Sequence, residues 1–199
     1  MNDTPKTPEL PTRDQALALL EEYTKKPGLV KHAYAVEAAV RAYARKWKEN
    51  GDADVDEHAW SLVALLHDFD YERWPSAEDH PYRGAEILEQ QGYPEWFRKA
   101  ILSHADYTGV KRTTQLEKTL FACDELCGFL TACALVTQKK SLAEVKVKSV
   151  KKKLKSKAFA ASVNRDDIRQ GAAELGVDLD EHIEFVLEAM RTVAEELGL

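Results

Sequence analysis

The stretch EHAWSLVALLHDF, residues 57–69, decides the fold class. Its middle is apolar almost all round, so as a helix it belongs in a core, and Asp56 just ahead of it is a suitable N-cap. Helical geometry then sets the direction of the polar pair near its end. His67 lies four residues after Val63 and seven after Trp60, and Asp68 lies four after Ala64, so both side chains are expected to turn inward. A buried imidazole beside a buried carboxylate needs partners, and a divalent cation suits both. The bare dipeptide carries little weight, because six histidines and 14 aspartates in 199 residues produce about 0.4 His-Asp pairs by chance. Its place at the end of an apolar helix is what makes it informative.

On the N-terminal side, Thr12 caps a predicted helix that runs to about Tyr23, and Pro27-Gly28 breaks the chain before an amphipathic helix to about Asn50. On the C-terminal side, helical patterns occupy Pro81–Gln91, Pro94–His104 and Thr114–Thr137, then Asp166–Leu175 and Asp180–Leu197 with Gly176 between the last two. VKVKSV alternates briefly, but a strand without a partner is marginal, and the Ser141-Leu-Ala-Glu144 capping-box pattern favours helix there. The expectation is therefore an all-α chain. A flexible leader over 1–11 precedes one domain over 12–199, made of a core at about 29–137, a lysine-rich segment at 139–157 and C-terminal helices at 164–199.

Composition narrows the class further. With 44% hydrophobic and 31% charged residues the chain can bury a sizeable core, and no run approaches the roughly 18 apolar residues of a membrane helix. The start MNDTPKTPELP lacks the basic and apolar regions of a secretion signal. Cys123, Cys127 and Cys133 crowd into one helical segment, which suits small core residues in a reducing cytoplasm better than a disulfide framework. Net charge is −6, yet Lys139–Lys157 holds nine lysines and one glutamate. This basic patch reads first as a solvated helix face and second as a contact for phosphates or nucleic acid.

Other candidate ligands also fall on inward faces. His32 heads the stripe Val36, Val40, Tyr43 and Trp47; His104 follows Phe97 and Ile101; Asp124 follows Leu120 by four; and His80 can share a face with Gly84 and Ile87. His58 and His182 sit in first turns of helices, where a capping or solvent-facing role suffices.

The order His32, His67-Asp68, Asp124 resembles the HD superfamily of metal-dependent phosphohydrolases, in its small, single-domain, HDIG-like form. The resemblance spans His32 to Asp124 and implies a helical bundle in which those four residues bind a divalent metal. Some branches use further histidines for a second metal, and His80 in HPYRGAEIL and His104 in ILSHADY stand in suitable places. Here Phe69-Asp70 follow the dyad where many relatives have Ile-Gly, and Gly92-Tyr93-Pro94 lacks the flanking motifs of the cyclic-dinucleotide phosphodiesterase branch.

The activity the resemblance implies is hydrolysis of a phosphomonoester or phosphodiester, a nucleotide included, by a metal-activated water. Asp68 would orient the water, His80 or His104 would stabilise the phosphate or hold a second metal, and Glu72 would serve as general acid. Arg73, Lys111 and Arg112 are the candidate phosphate contacts. Mixed imidazole and carboxylate ligation favours manganese, iron, cobalt, nickel or zinc over magnesium alone. Two other readings stay open: a di-iron oxygenase of the same superfamily, and a nucleic-acid-binding or regulatory module acting through Lys139–Lys157 with a non-catalytic metal site.

Overall fold

Local capping chemistry lays out the chain, which a computed structural model describes over residues 10–199. The first nine residues of the expected leader lie outside the described residues. Helix α1 (Arg13–Tyr23) starts at a capping box in which the Thr12 hydroxyl accepts from Gln15 N–H and the Gln15 side chain accepts from Thr12 N–H. Helix α2 (Pro27–Glu49) takes Pro27 as its first residue, where the missing N–H costs nothing. Helix α3 (Glu57–Leu66) is capped by Asp56 and buries every residue from Ala59 to Leu66. Then come α4 (Tyr82–Gln90), α5 (Glu95–Leu102) and α6 (Gln115–Leu135), the last opened by a second capping box from Thr114 and Glu117. No strand occurs among the described residues.

The C-terminal part holds α7 (Val147–Leu154), α8 (Arg165–Leu175), α9 (Leu179–Arg191) and α10 (Ala194–Leu197). Two details differ from the sequence expectations. VKVKSV is extended at Val145 and Lys146 and helical from Val147, and Ser141–Glu144 makes only a short 3-10 turn: Ser141 accepts from Ala143 N–H, while the Glu144 carboxylate takes Lys139 N–H. The predicted helix over 180–197 is two helices, divided at Thr192–Val193, where the Thr192 hydroxyl bonds the Ala189 carbonyl and Val193 leaves helical backbone. On α7, Val150 and Leu154 are buried, and Lys148, Lys151, Lys152 and Lys155 fan over the opposite, exposed face, with Lys151 paired to Asp180.

One continuous core runs from Ala16 on α1 to Leu197 on α10. Helix α2 lies along α3 and α6 and also meets α9 and α10, while α8 packs on α6. The α6–α8 approach is close enough to require glycine: a Cβ on Gly171 would stand 2.6 Å from Ala122 Cα. Glu37, buried on α2, fastens α1 and α3 together by accepting two bonds from the Arg13 guanidinium and one from the Ser61 hydroxyl. With α2, α3 and α6 fixed side by side, the polar residues on their facing surfaces converge.

Candidate metal centre

Helix α3 ends at Leu66, and the dyad lies in the tight turn just beyond it rather than inside the helix. The reason is visible at His67, whose Nδ1–H donates to the Ala64 carbonyl at 2.7 Å. Because a carbonyl can only accept, that bond places a proton on Nδ1 and leaves Nε2, facing the interior, as the atom available to a metal. His104, in the turn after α5, is held the same way by the Ile101 carbonyl at 2.6 Å. His80 donates from Nδ1 to Asp70 Oδ1 at 2.8 Å. Three imidazoles thus present Nε2 to one place, each ring oriented from behind, as metal-binding histidines characteristically are.

Asp68 stands at the centre. Its Oδ2 lies 3.5 Å from His67 Nε2 and 3.8 Å from His32 Nε2, and its Oδ1 lies 3.3 Å from both His80 Nε2 and His104 Nε2. Asp124 Oδ1, from α6, lies 2.9 Å from His32 Nε2 and 3.4 Å from His67 Nε2. Two groups result: His32, His67, Asp68 and Asp124, and Asp68, His80 and His104, each with its ligand atoms within 4.8 Å of one another. Asp68 belongs to both.

The electrostatics fit a cation. Burial, the largest influence on His67, acts to lower its pKa, but the Asp68 and Asp124 carboxylates outweigh it and hold the imidazole at about 9. Burial likewise opposes the charge on His80, and Asp68 and Asp70 raise it to about 9. Asp68 and Asp124 lie well below the ordinary carboxylate range: desolvation pushes each upward, and the surrounding imidazoles overcome it. His67 Nε2 is fully buried and has no hydrogen-bond partner, the orphaned donor atom that a metal would satisfy. Two or more imidazole nitrogens with carboxylate oxygens suit a divalent transition metal.

A family model described as the HD domain matches residues 29–128. The chain belongs to the HD domain family. The family is generally one of metal-dependent phosphohydrolases, and the match runs through His32, His67, Asp68, His80, His104 and Asp124, the residues that form this cluster. A search of the curated proteins and one of the solved structures each return no match.

Other sequence candidates are engaged elsewhere in this HD domain chain. The Glu72 carboxylate ties down the backbone just ahead of α2, accepting Lys25 N–H and Lys26 N–H at 2.7 and 2.8 Å, and those bonds lower its pKa. A general acid needs the opposite shift. Arg73 lies with its guanidinium 3.9 Å from the Tyr23 ring centroid and donates to the Glu22 carbonyl. Arg112 is buried over Phe121, pairs with Asp106 and Glu174, and donates to the Ser103 carbonyl, so its donors are committed. Lys111 is exposed and lines a surface depression with Arg112, Lys118 and Glu174.

Two histidines stand apart from the cluster. His58 is exposed and bonds the Pro11 carbonyl. His182, expected at a helix surface, is fully buried between the Tyr43 hydroxyl and the Ala122 carbonyl, because α2 and α6 close over the first turn of α9. Sequence reasoning missed Asp70, which is 1% exposed at its side chain and links His80 to Gly84 N–H. The available signal was Gly84, where a Cβ would stand 2.9 Å from Asp70 Cγ.

Proposed function

We propose that this protein is a metal-dependent phosphohydrolase acting on a small phosphorylated substrate, nucleotides included. The observation that carries the reading is Asp68, whose two oxygens face two separate groups of imidazole nitrogens, one of which has no other partner. His32, His67, Asp68 and Asp124 would hold the first cation; Asp68, His80 and His104 have the composition to hold a second. When bound, the metal supplies a Lewis acid and a water acidic enough to attack phosphorus near neutral pH.

The chain's own residues do the rest. Ala64, Ile101 and Asp70 hold the rings of His67, His104 and His80 so that no reorientation is needed during turnover. With a single cation held by His32, His67, Asp68 and Asp124, His80, backed by Asp70, would be placed to donate from Nε2 to a phosphate oxygen, and Asp68 Oδ1 would be placed to accept from a water. With two cations, the same atoms would serve as ligands. The side chain of Asp68 is 21% exposed and that of His32 20%, against 5% for His80 and His104, so substrate enters on the Asp68–His32 side.

The test is elemental analysis of the purified protein beside its His67→Ala and Asp68→Ala variants, with phosphate release from a generic phosphoester measured on each. One or two equivalents of metal in the parent, lost together with hydrolysis in both variants, is the expected result. Two irons with oxygen consumption and no phosphate release would replace the reading by an oxygenase. No specific metal after reconstitution would end it.

A further inference from the structure

The lysine-rich segment is a charge feature for which the metal centre has no use. Of the nine lysines between 139 and 157, eight are exposed, and the ninth, Lys153, is half-buried with its ammonium over the Phe159 ring. Among the described residues, Lys151 alone of these forms a salt bridge, to Asp180. Glu144, the single acid in the segment, accepts the Lys139 N–H. Bare aliphatic side chains lie beside this charge. Leu135, the last residue of α6, is 51% exposed and Val136 59%, while the other large hydrophobic side chains exposed among the described residues, Tyr71, Trp96 and Tyr107, are aromatic.

Packing joins the two features. Thr137 turns the chain at the end of α6, its hydroxyl donating to the Ala134 carbonyl and accepting the Ser141 N–H, which keeps Lys139 and Lys140 close to Leu135 and Val136. Helix α7 then packs back on α6 and α9, and Phe159 just beyond it meets Phe129 of α6 edge to face, with centroids 5.5 Å apart. On the other flank of α7, Glu181, Glu184 and Glu188 are exposed on α9 and set the edge of the basic face. Leu135 lies eleven residues beyond Asp124, about 16 Å along α6, so this surface is distinct from the metal centre.

Both features fit the face of a bilayer. Anionic headgroups attract clustered lysines, and aliphatic side chains leave water at the boundary between headgroups and acyl chains. A nucleic acid would meet the charge but not the aliphatic side chains, because strands are held by stacking on aromatic rings and by arginine forks. The segment 139–157 contains no arginine and no aromatic residue. We propose that α7 and the tip formed by Leu135 and Val136 are a docking surface for an anionic lipid bilayer. The lysines meet the headgroups, and the two aliphatic side chains enter the interface. The contact is with one face of the bilayer; no described helix is long and apolar enough to cross it. Docking of this kind does not depend on the reaction at the metal centre.

The test is co-sedimentation of the full chain with phosphatidylcholine vesicles and with vesicles that also contain phosphatidylglycerol. Each lysine near an anionic surface raises affinity roughly fivefold, so binding to the anionic vesicles should exceed binding to the neutral ones by more than about 20-fold and weaken as salt is added. Lys148→Gln combined with Lys152→Gln should reduce it about 25-fold. Leu135→Ser combined with Val136→Ser should reduce it at least about fivefold with no change in charge. All four positions are exposed, so both double variants should melt with the parent. Equal binding to both kinds of vesicle, no binding to either, or anionic binding that one of the double variants leaves unchanged overturns the proposal. Capture of a labelled DNA duplex without vesicle binding reassigns the face to nucleic acid and likewise overturns it.

Discussion

His67 and His182 are both fully buried imidazoles, and they stand on opposite sides of the protonation balance. His67 meets two carboxylates and is held at about 9, whereas His182 meets a phenol and a backbone carbonyl, and burial lowers it to about 4. Burial alone, acting in the same direction on both, does not decide the outcome; the charge of the neighbours does. One region is built to hold positive charge, and the other excludes it.

Removing the negative charge around His67 should have the greatest consequence. Asp68→Ala deletes the shared carboxylate of both ligand groups and should reduce metal affinity by more than about 100-fold, read by equilibrium dialysis, because even supporting residues cost roughly 10- to 100-fold. Hydrolysis should fall with it. Asp70→Asn tests the support itself. An asparagine keeps the bond to Gly84 N–H only if its oxygen takes that side, and it no longer offers His80 a charged acceptor. A roughly 10-fold loss of metal is expected, confined to one of two equivalents if two are bound.

The His182 side responds to pH rather than to metal. Above its unfolded value of 6.5 the imidazole is neutral in both states and stability is complete. As pH falls from 6.5 toward about 4, the unfolded chain takes up a proton that the folded chain refuses. The His182 contribution should decline over that window by about 3 kcal/mol. Denaturant titrations between pH 4 and 6.5 should show it as a change in the stability difference between the parent and His182→Gln, a comparison that cancels the opposite slope of Glu125, whose carboxyl burial raises to about 7. A stability difference that stays constant across the window would assign no pH dependence to His182.

More modest changes separate site from scaffold. Gly171→Ala drives a methyl group into the Ala122 backbone, two residues before Asp124, and should cost about 1–3 kcal/mol in thermal or denaturant unfolding. Glu72→Ala should lower the melting temperature slightly through the loss of its bonds to the Lys25 and Lys26 N–H groups and leave the turnover rate unchanged.

Much of the fold could be read in the sequence because the signals are local. Thr12 with Gln15 and Thr114 with Glu117 mark helix starts by side chains that reach three residues along their own chain, and an all-round apolar α3 announces its own burial. His32, His67, Asp68, His80, His104 and Asp124 were each referred to an inward face, and the fold brings them to one place. The misreadings share one cause. Arg112 and Glu72 look free in sequence because Glu174 and the α2 N-terminus, which engage them, come from distant segments. His182 looks exposed because a first turn says nothing about which helices will cover it.

Capping, periodicity and motif order are properties of short stretches of chain, so the helical class, most helix boundaries and the family to which residues 29–128 belong are already present in the linear order of residues. Folding in three dimensions added that Asp68 faces two ligand groups, that Asp70 supports His80, and that the Glu72 and Arg112 side chains are bound elsewhere. Those outcomes depend on distances between side chains on different helices, which the packing of α2, α3 and α6 sets and no local pattern encodes.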